Sequence, residues 1–320
     1  TRGLSGMVFL LVMCADNYRM PRSTARLRLY FLLAFLTLAS ALYGNTLAFE
    51  SARRDYRSGN TADALRAFRD IVENDDAMVA ESHWYMAKIF VMLDDPEQAF
   101  RHFERSLDIG GFVRPEHRVL VYHDLARLYR DERNGIEYER TMGELFAYSD
   151  EFTGAGNQAR RDNIERVFTS QSLARALELY RLTPGPFADA HYEYGMYLLR
   201  SGRDDSLQHL LFYLLHTYSL AIEYYRSEQP RYRFIDLYEF TRDIRNNREV
   251  QAFLEERDVY WAAAYLGDAM YFYGGGGSAS TRARELWQFV SRQTHAGEAS
   301  EYAARQLLAE TPFNVGPRGR

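Results

Sequence analysis

The chain has 320 residues, 47% hydrophobic and 26% charged, a balance that excludes a disordered polypeptide and allows one large domain, two ordinary ones or an elongated repeat protein. Its net charge of −5 argues against a general nucleic-acid binder. The single cysteine, Cys14, excludes an intramolecular disulfide and any cysteine-based metal site.

From Met20 the sequence reads "MPRSTARLRLYFLLAFLTLASALYG". Arg22, Arg26 and Arg28 precede an apolar run from Leu29 to Leu38, and Ala39-Ser40-Ala41 then offers a small-residue cleavage pattern. That order predicts a secretory signal peptide over 20–41, with 1–19 as an upstream extension of the reading frame. The run is short for a bilayer span, which takes about 20 residues. An uncleaved anchor and a lipoprotein signal at Cys14 are the other readings, the second disfavoured by bulky Met13 before the cysteine. Cleavage would leave a more acidic chain, exported to the periplasm or secreted, with no membrane span.

Beyond the leader the sequence repeats itself. Aligning 48–72 with 83–107 puts Phe49 on Trp84, Ala52 on Ala87, Tyr56 on Val91, Gly59 on Asp94, Ala64 on Ala99, Phe68 on Phe103 and Ile71 on Ser106. Each copy reads as two helices around a polar turn, with Pro96 just inside its second helix, where a missing N–H costs nothing. Small residues allow two helices to approach closely, and Phe68 and Phe103 fill the groove toward the next copy. Such units cannot bury their apolar faces alone, so neighbours must stack.

Weaker copies follow. Leu125, Ala126 and Tyr129 lead to a lengthened turn around Gly135; Tyr194, Gly195 and Gly202 give the first half of a fourth unit. Leu266 and Gly267, the glycine run 274–277, then Ala283, Trp287 and Val290 give a fifth. Segments 157–182 and 206–227 also carry apolar residues at helical intervals, the second as a long buried helix. "TPGPF" (183–187) marks a break.

These spacings resemble the tetratricopeptide repeat superfamily, over 46–108 most clearly, then at 120–146, 190–212 and 260–291. The resemblance implies an all-α fold, an α-solenoid of antiparallel helix pairs. Repeats 1–3 would fill 46–146, divergent helical repeats 147–315, and a tail 316–320. It further implies that the residue after each mid-helix small residue faces a concave groove: Arg53, Lys88 and Arg127, then Met196 and Asp268. One turn earlier the same face would carry Phe49, Trp84, His123 and Tyr192; one turn later Tyr56, Val91 and Arg130. A cationic row beside aromatics suits a ligand with a carboxylate and an apolar body, such as a peptide.

A search for reaction chemistry finds none. His209 and His216 lie two turns apart on one helix face, too far to share a metal without an intervening ligand, and read as core or interface histidines. There is no H-E-x-x-H stretch, no calcium-loop spacing in "ENDDA" (73–77), and no Lys-Ser/Thr after "YGGGGSAS" (273–280). The sequence thus leads to a non-catalytic protein, without cofactor or metal, that binds a protein or peptide partner in the bacterial cell envelope. The alternative is a ligand-binding accessory of a transport system, its cavity lined by the aromatic-rich segments 190–227 and 260–273.

Overall fold

The computed structural model describes residues 47–74, 78–153, 158–180 and 186–312. The segments expected to be an upstream extension (1–19), a signal peptide (20–41) and a tail (316–320) lie outside the described residues, as does most of the break at 183–187. Among the described residues the chain forms fifteen α-helices and no strand. It divides into two compact units, Thr1–Val113 and Arg114–Arg320. The division follows the second helix pair.

The first unit holds α1 (47–57), α2 (Thr61–Glu73), α3 (Val79–Met92) and α4 (Pro96–Ile109). Ala52, Ala64, Ala87 and Ala99 are all fully buried where helices meet. Phe68 is fully buried and stacks on Tyr85, 5.2 Å between ring centroids, while Phe49 meets both rings edge-on at 5.7 Å. Ser106 stands where the first copy has Ile71, and its hydroxyl donates to the Ala80 carbonyl at 2.7 Å, so a buried polar group is satisfied.

The second unit holds α5 (Pro115–Asp131), α6 (Gly135–Thr153), α7 (Gln158–Ser170), α8 (Leu173–Leu179), α9 (Pro186–Arg200) and α10 (Ser206–Glu228). It continues with α11 (Leu237–Asp243), α12 (Arg248–Glu256), α13 (Val259–Tyr273), α14 (Ser278–Ser291) and α15 (Glu298–Leu308). Its core runs from Ile164 to Ala303. The helix α10 is central: Leu210, Leu211, Leu214, Leu215 and Tyr218 are buried, and it packs on α9 and α13. The long helix expected at 206–227 is thus present, and it pairs with α9. The stretch 157–182, by contrast, is broken in two, because Ser172 accepts from the Arg175 N–H at 3.1 Å and starts a new helix.

Four turns between paired helices share one geometry. Gly59, Asp94, Arg133 and Gly202 have φ of 82°, 57°, 58° and 72°. The next residue's N–H reaches back five residues in each case: Asn60 to Asp55, Asp95 to Phe90, Asn134 to Tyr129 and Arg203 to Leu198, at 2.8–3.0 Å. This is the hydrogen bond of a Schellman cap, which closes one helix and aims the chain into the next. The third turn is therefore not lengthened around Gly135, as its sequence suggested. Gly135 is the first residue of α6, and Arg133 takes the left-handed position that glycine fills elsewhere.

Seven residues before each of these positions stands a small residue: Ala52, Ala87, Ala126 and Gly195. A Cβ on Gly195 would lie 3.1 Å from His209 Cβ and Leu210 Cγ. On Gly267, at the same place in the fifth pair, it would lie 2.6 Å from the indole nitrogen of Trp287, a distance real side chains do not adopt. We expect Gly267→Ala to lower the free energy of unfolding by about 1–3 kcal/mol through overpacking. Gly143→Ala, in helix α6 with no neighbour near its Cβ, should raise it by about 0.5–1 kcal/mol. Chemical denaturation of both variants checks the contrast. Arg133→Gly should stabilise by about 0.5–1 kcal/mol in the same assay if the left-handed cap governs that turn.

Candidate functional site

In the first unit, the residues expected to line a groove separate into two sets. Phe49 and Trp84 are buried, 3% and 5% exposed, so they contribute packing and not accessible wall. Arg53 and Lys88 are half-buried. Arg53 pairs with Glu50 at 2.9 Å. The Lys88 ammonium lies 5.0 Å from the Trp84 ring centroid and 5.7 Å from those of Tyr56 and Tyr85, an aromatic bed that attracts cations electrostatically. Tyr85, which the repeat alignment passed over, joins this bed to the core, and burial raises its hydroxyl pKa. Its signal was available: it lies three residues before Lys88, on the same helix face.

In the second unit, His123, Arg127 and Arg130 converge on one carboxylate that the sequence reading missed. Glu193 of α9 lies 2.8 Å from Arg130 Nη1, 3.5 Å from His123 Nε2 and 3.7 Å from Arg127 Nε. Burial alone would raise the pKa of Glu193, but His123 and the two guanidinium groups outweigh it and hold the carboxyl below its usual range. The acid that these cations were expected to receive from a ligand is supplied by the chain itself.

Two further positions expected in the groove are interior. Met196 is buried. Asp268 is fully buried, and its carboxylate accepts from Trp287 Nε1 at 3.1 Å, Gln306 Nε2 at 3.0 Å and the Tyr302 hydroxyl. Burial outweighs these three donors and pushes its pKa up to about 7. Tyr192 stacks on Tyr213, 4.6 Å between centroids.

The histidines pair across helices. His83 and His102 bring their Nδ1 atoms to 2.8 Å between α3 and α4; His191 and His209 do the same at 2.8 Å between α9 and α10. The two pairs occupy equivalent places. His83 and His191 each stand eleven residues before the left-handed residue of their turn, and His102 and His209 stand eight and seven after it. His216 goes elsewhere, to the Tyr180 hydroxyl at 3.2 Å, so His209 and His216 indeed have separate partners. Among the described residues no group of three or more His, Cys, Asp or Glu converges to hold a metal ion.

His191 and His209 also line a cavity of about 890 Å³ in the second unit. Phe146, Tyr194 and Tyr273 provide aromatic walls; Arg161, Arg166, Asp162, Glu165, Asp204 and Asp205 ring it with both signs of charge. Burial raises the Glu165 pKa against a hydrogen bond from Gln208, with Asp162, Asp204 and Asp205 adding like charge. The cavity draws on the segment 190–227 through His191, Tyr194, Leu207 and His209, on 260–273 through Tyr273, and on α7 through Arg161, Glu165 and Arg166.

Each imidazole pair holds one proton between its Nδ1 atoms, and a second would make both nitrogens donors and break the bond. Burial lowers His83 to about 4, helped by His102 and Arg105, and lowers His209 to about 3, helped by Arg161 and Arg203. Burial first, then neighbouring cationic groups, also lowers His102 and His191. Folded values below the ordinary 6.5 mean stability that is full above pH 6.5 and lost as pH falls toward them. Asp268 runs the opposite way, its contribution fading as pH rises through about 7. Burial also lowers His216 to about 4, so five histidines outnumber the two raised carboxyls, Asp268 and Glu165, and the denaturation midpoint should fall between pH 6.5 and 4. A His83→Gln/His102→Gln variant should show a shallower fall, and an unchanged slope would refute the paired-proton account.

No protein-family model matches this chain, and no curated protein matches it in sequence.

Proposed function

We propose that this chain is a non-catalytic binding protein of the tetratricopeptide-like helical-repeat kind, exported to the bacterial cell envelope, where it presents a repeat surface to a protein or peptide partner. The observation that carries this reading is the half-exposed face of the first unit. There Lys88 is held over Tyr56, Tyr85 and Trp84, with Arg53 on the neighbouring helix. A cation bedded on rings offers a carboxylate a charge partner, and the rings offer an apolar segment a flat surface. The solenoid arrangement of antiparallel pairs belongs to this proposal. Its supports are the recurring left-handed cap and the small residue seven positions before it, which give four of the helix pairs the same turn geometry.

A second reading has its own support. The mixed-charge, aromatic-walled cavity of about 890 Å³ in the second unit falls within the 300–1,000 Å³ usual for small-molecule sites. It fits a ligand-binding accessory component of a transport system.

Photo-crosslinking in the native envelope separates the two. A benzophenone residue at Tyr56 should capture a discrete partner, and Arg53→Glu/Lys88→Glu should abolish that adduct while leaving the helical circular-dichroism signal intact. An adduct that persists in the charge-reversed variant would overturn the proposed face. A small molecule that raises the melting temperature without any partner protein would favour the cavity reading.

A further inference from the structure

A second, smaller cavity, of about 420 Å³, opens elsewhere in the second unit. Its walls come from α11, the 3₁₀ turn Ile244–Asn246, α12 and the linker between α14 and α15. They carry Arg242, Arg245, Arg292 and His295 together with Thr294 and Gln293, and no carboxylate. In an acidic protein, a concave wall of one sign is a departure from the mean.

The three guanidinium groups are not equivalent. Arg242 is held by Glu239 and Asp243, which stand outside the cavity lining. Among the described residues neither Arg245 nor Arg292 makes an ion pair. Arg292 instead lies over the Tyr238 ring, 5.4 Å from its centroid, and Tyr238 is braced edge-on by Phe289 at 5.4 Å. A cation–π contact uses no N–H donor, so the guanidinium N–H groups remain available to a planar or tetrahedral oxyanion. The Gln251 amide donates to the Arg245 carbonyl at 3.1 Å and so fixes the turn that carries Arg245. The imidazole of His295 is positioned by its Nε2 contact to the Tyr260 hydroxyl at 3.0 Å. Its Nδ1 is left for another partner.

Two cations without internal counter-charge, both on anchored backbone or rings, raise the local concentration of anions and favour one that can accept several donors at once. The volume exceeds what a bare oxyanion needs, and the Tyr238 ring supplies a face for carbon. We propose that this cavity binds a small phosphorylated molecule, its phosphate oxygens on Arg245 and Arg292 and its body against Tyr238.

Isothermal titration of the full chain with glucose 6-phosphate, inorganic phosphate and glucose tests this. Both phosphates should bind saturably and glucose should not. Arg245→Gln/Arg292→Gln should weaken both phosphates by about tenfold or more, the loss expected for charge-assisted hydrogen bonds. Both arginines are exposed, so the variant keeps its fold. Arg161→Gln/Arg166→Gln, at the larger cavity, should leave phosphate binding unchanged. Absence of saturable phosphate binding, equal binding of glucose, or undiminished affinity in the Arg245/Arg292 variant would overturn the assignment.

Discussion

The close approach of paired helices is the constraint from which the rest of this structure follows. A helix pair with alanine or glycine at its contact brings two backbones within reach of one another's side chains, and large rings must then pack beside the contact, not within it. Gly267 shows the limit: the Trp287 indole occupies the space where a Cβ would stand, and from there its N–H reaches both the Ala264 carbonyl and the Asp268 carboxylate. Removing that clearance would disturb the packing and the buried carboxylate together. The same geometry places His209 and Leu210 against Gly195, and so brings His209 within reach of His191.

The left-handed cap is the complementary constraint. It ends one helix and starts the next after three residues at Gly59, Asp94 and Arg133 and after five at Gly202, which fixes the register of a pair before any side chain meets another. Asp95 and Asn134 strengthen two of these turns by accepting from the N–H groups of Gln98 and Glu137 at 3.1 and 3.3 Å. Backbone shape and side-chain capping therefore agree at the same positions, the consistency expected of a sequence that specifies one arrangement.

Much of the helical fold was legible because a small residue, a turn residue and an aromatic recur at fixed intervals. Ala52, Gly59, Ala64 and Phe68 repeat as Ala87, Asp94, Ala99 and Phe103. The third turn misled because reading by residue type pointed to Gly135, whereas backbone geometry accepted an arginine at 133. The break at Gln171 was hidden because Phe168, Leu173, Ala176 and Leu177 keep apolar residues at near-helical intervals across it. The candidate surface was harder still to read. Glu193 lies more than sixty residues from Arg127 and Arg130 in sequence, so their pairing belongs to the tertiary fold. Asp268 sits at a register that is half-exposed at Arg53 and Lys88, and only the surrounding helix packing, with Trp287, Tyr302 and Gln306 as donors, encloses it.

The histidine pairs couple more than two helices. In a neutral pair only one Nδ1 bears hydrogen, so the ring that accepts at Nδ1 must carry its proton on Nε2, and the tautomers of the two rings are opposite. Whatever fixes the proton on His191 thereby fixes it on His209. A ligand lodged in the larger cavity that accepts from one imidazole would select the bonding state of the other across the α9–α10 contact. The polarity of that contact would then change without any displacement of the backbone.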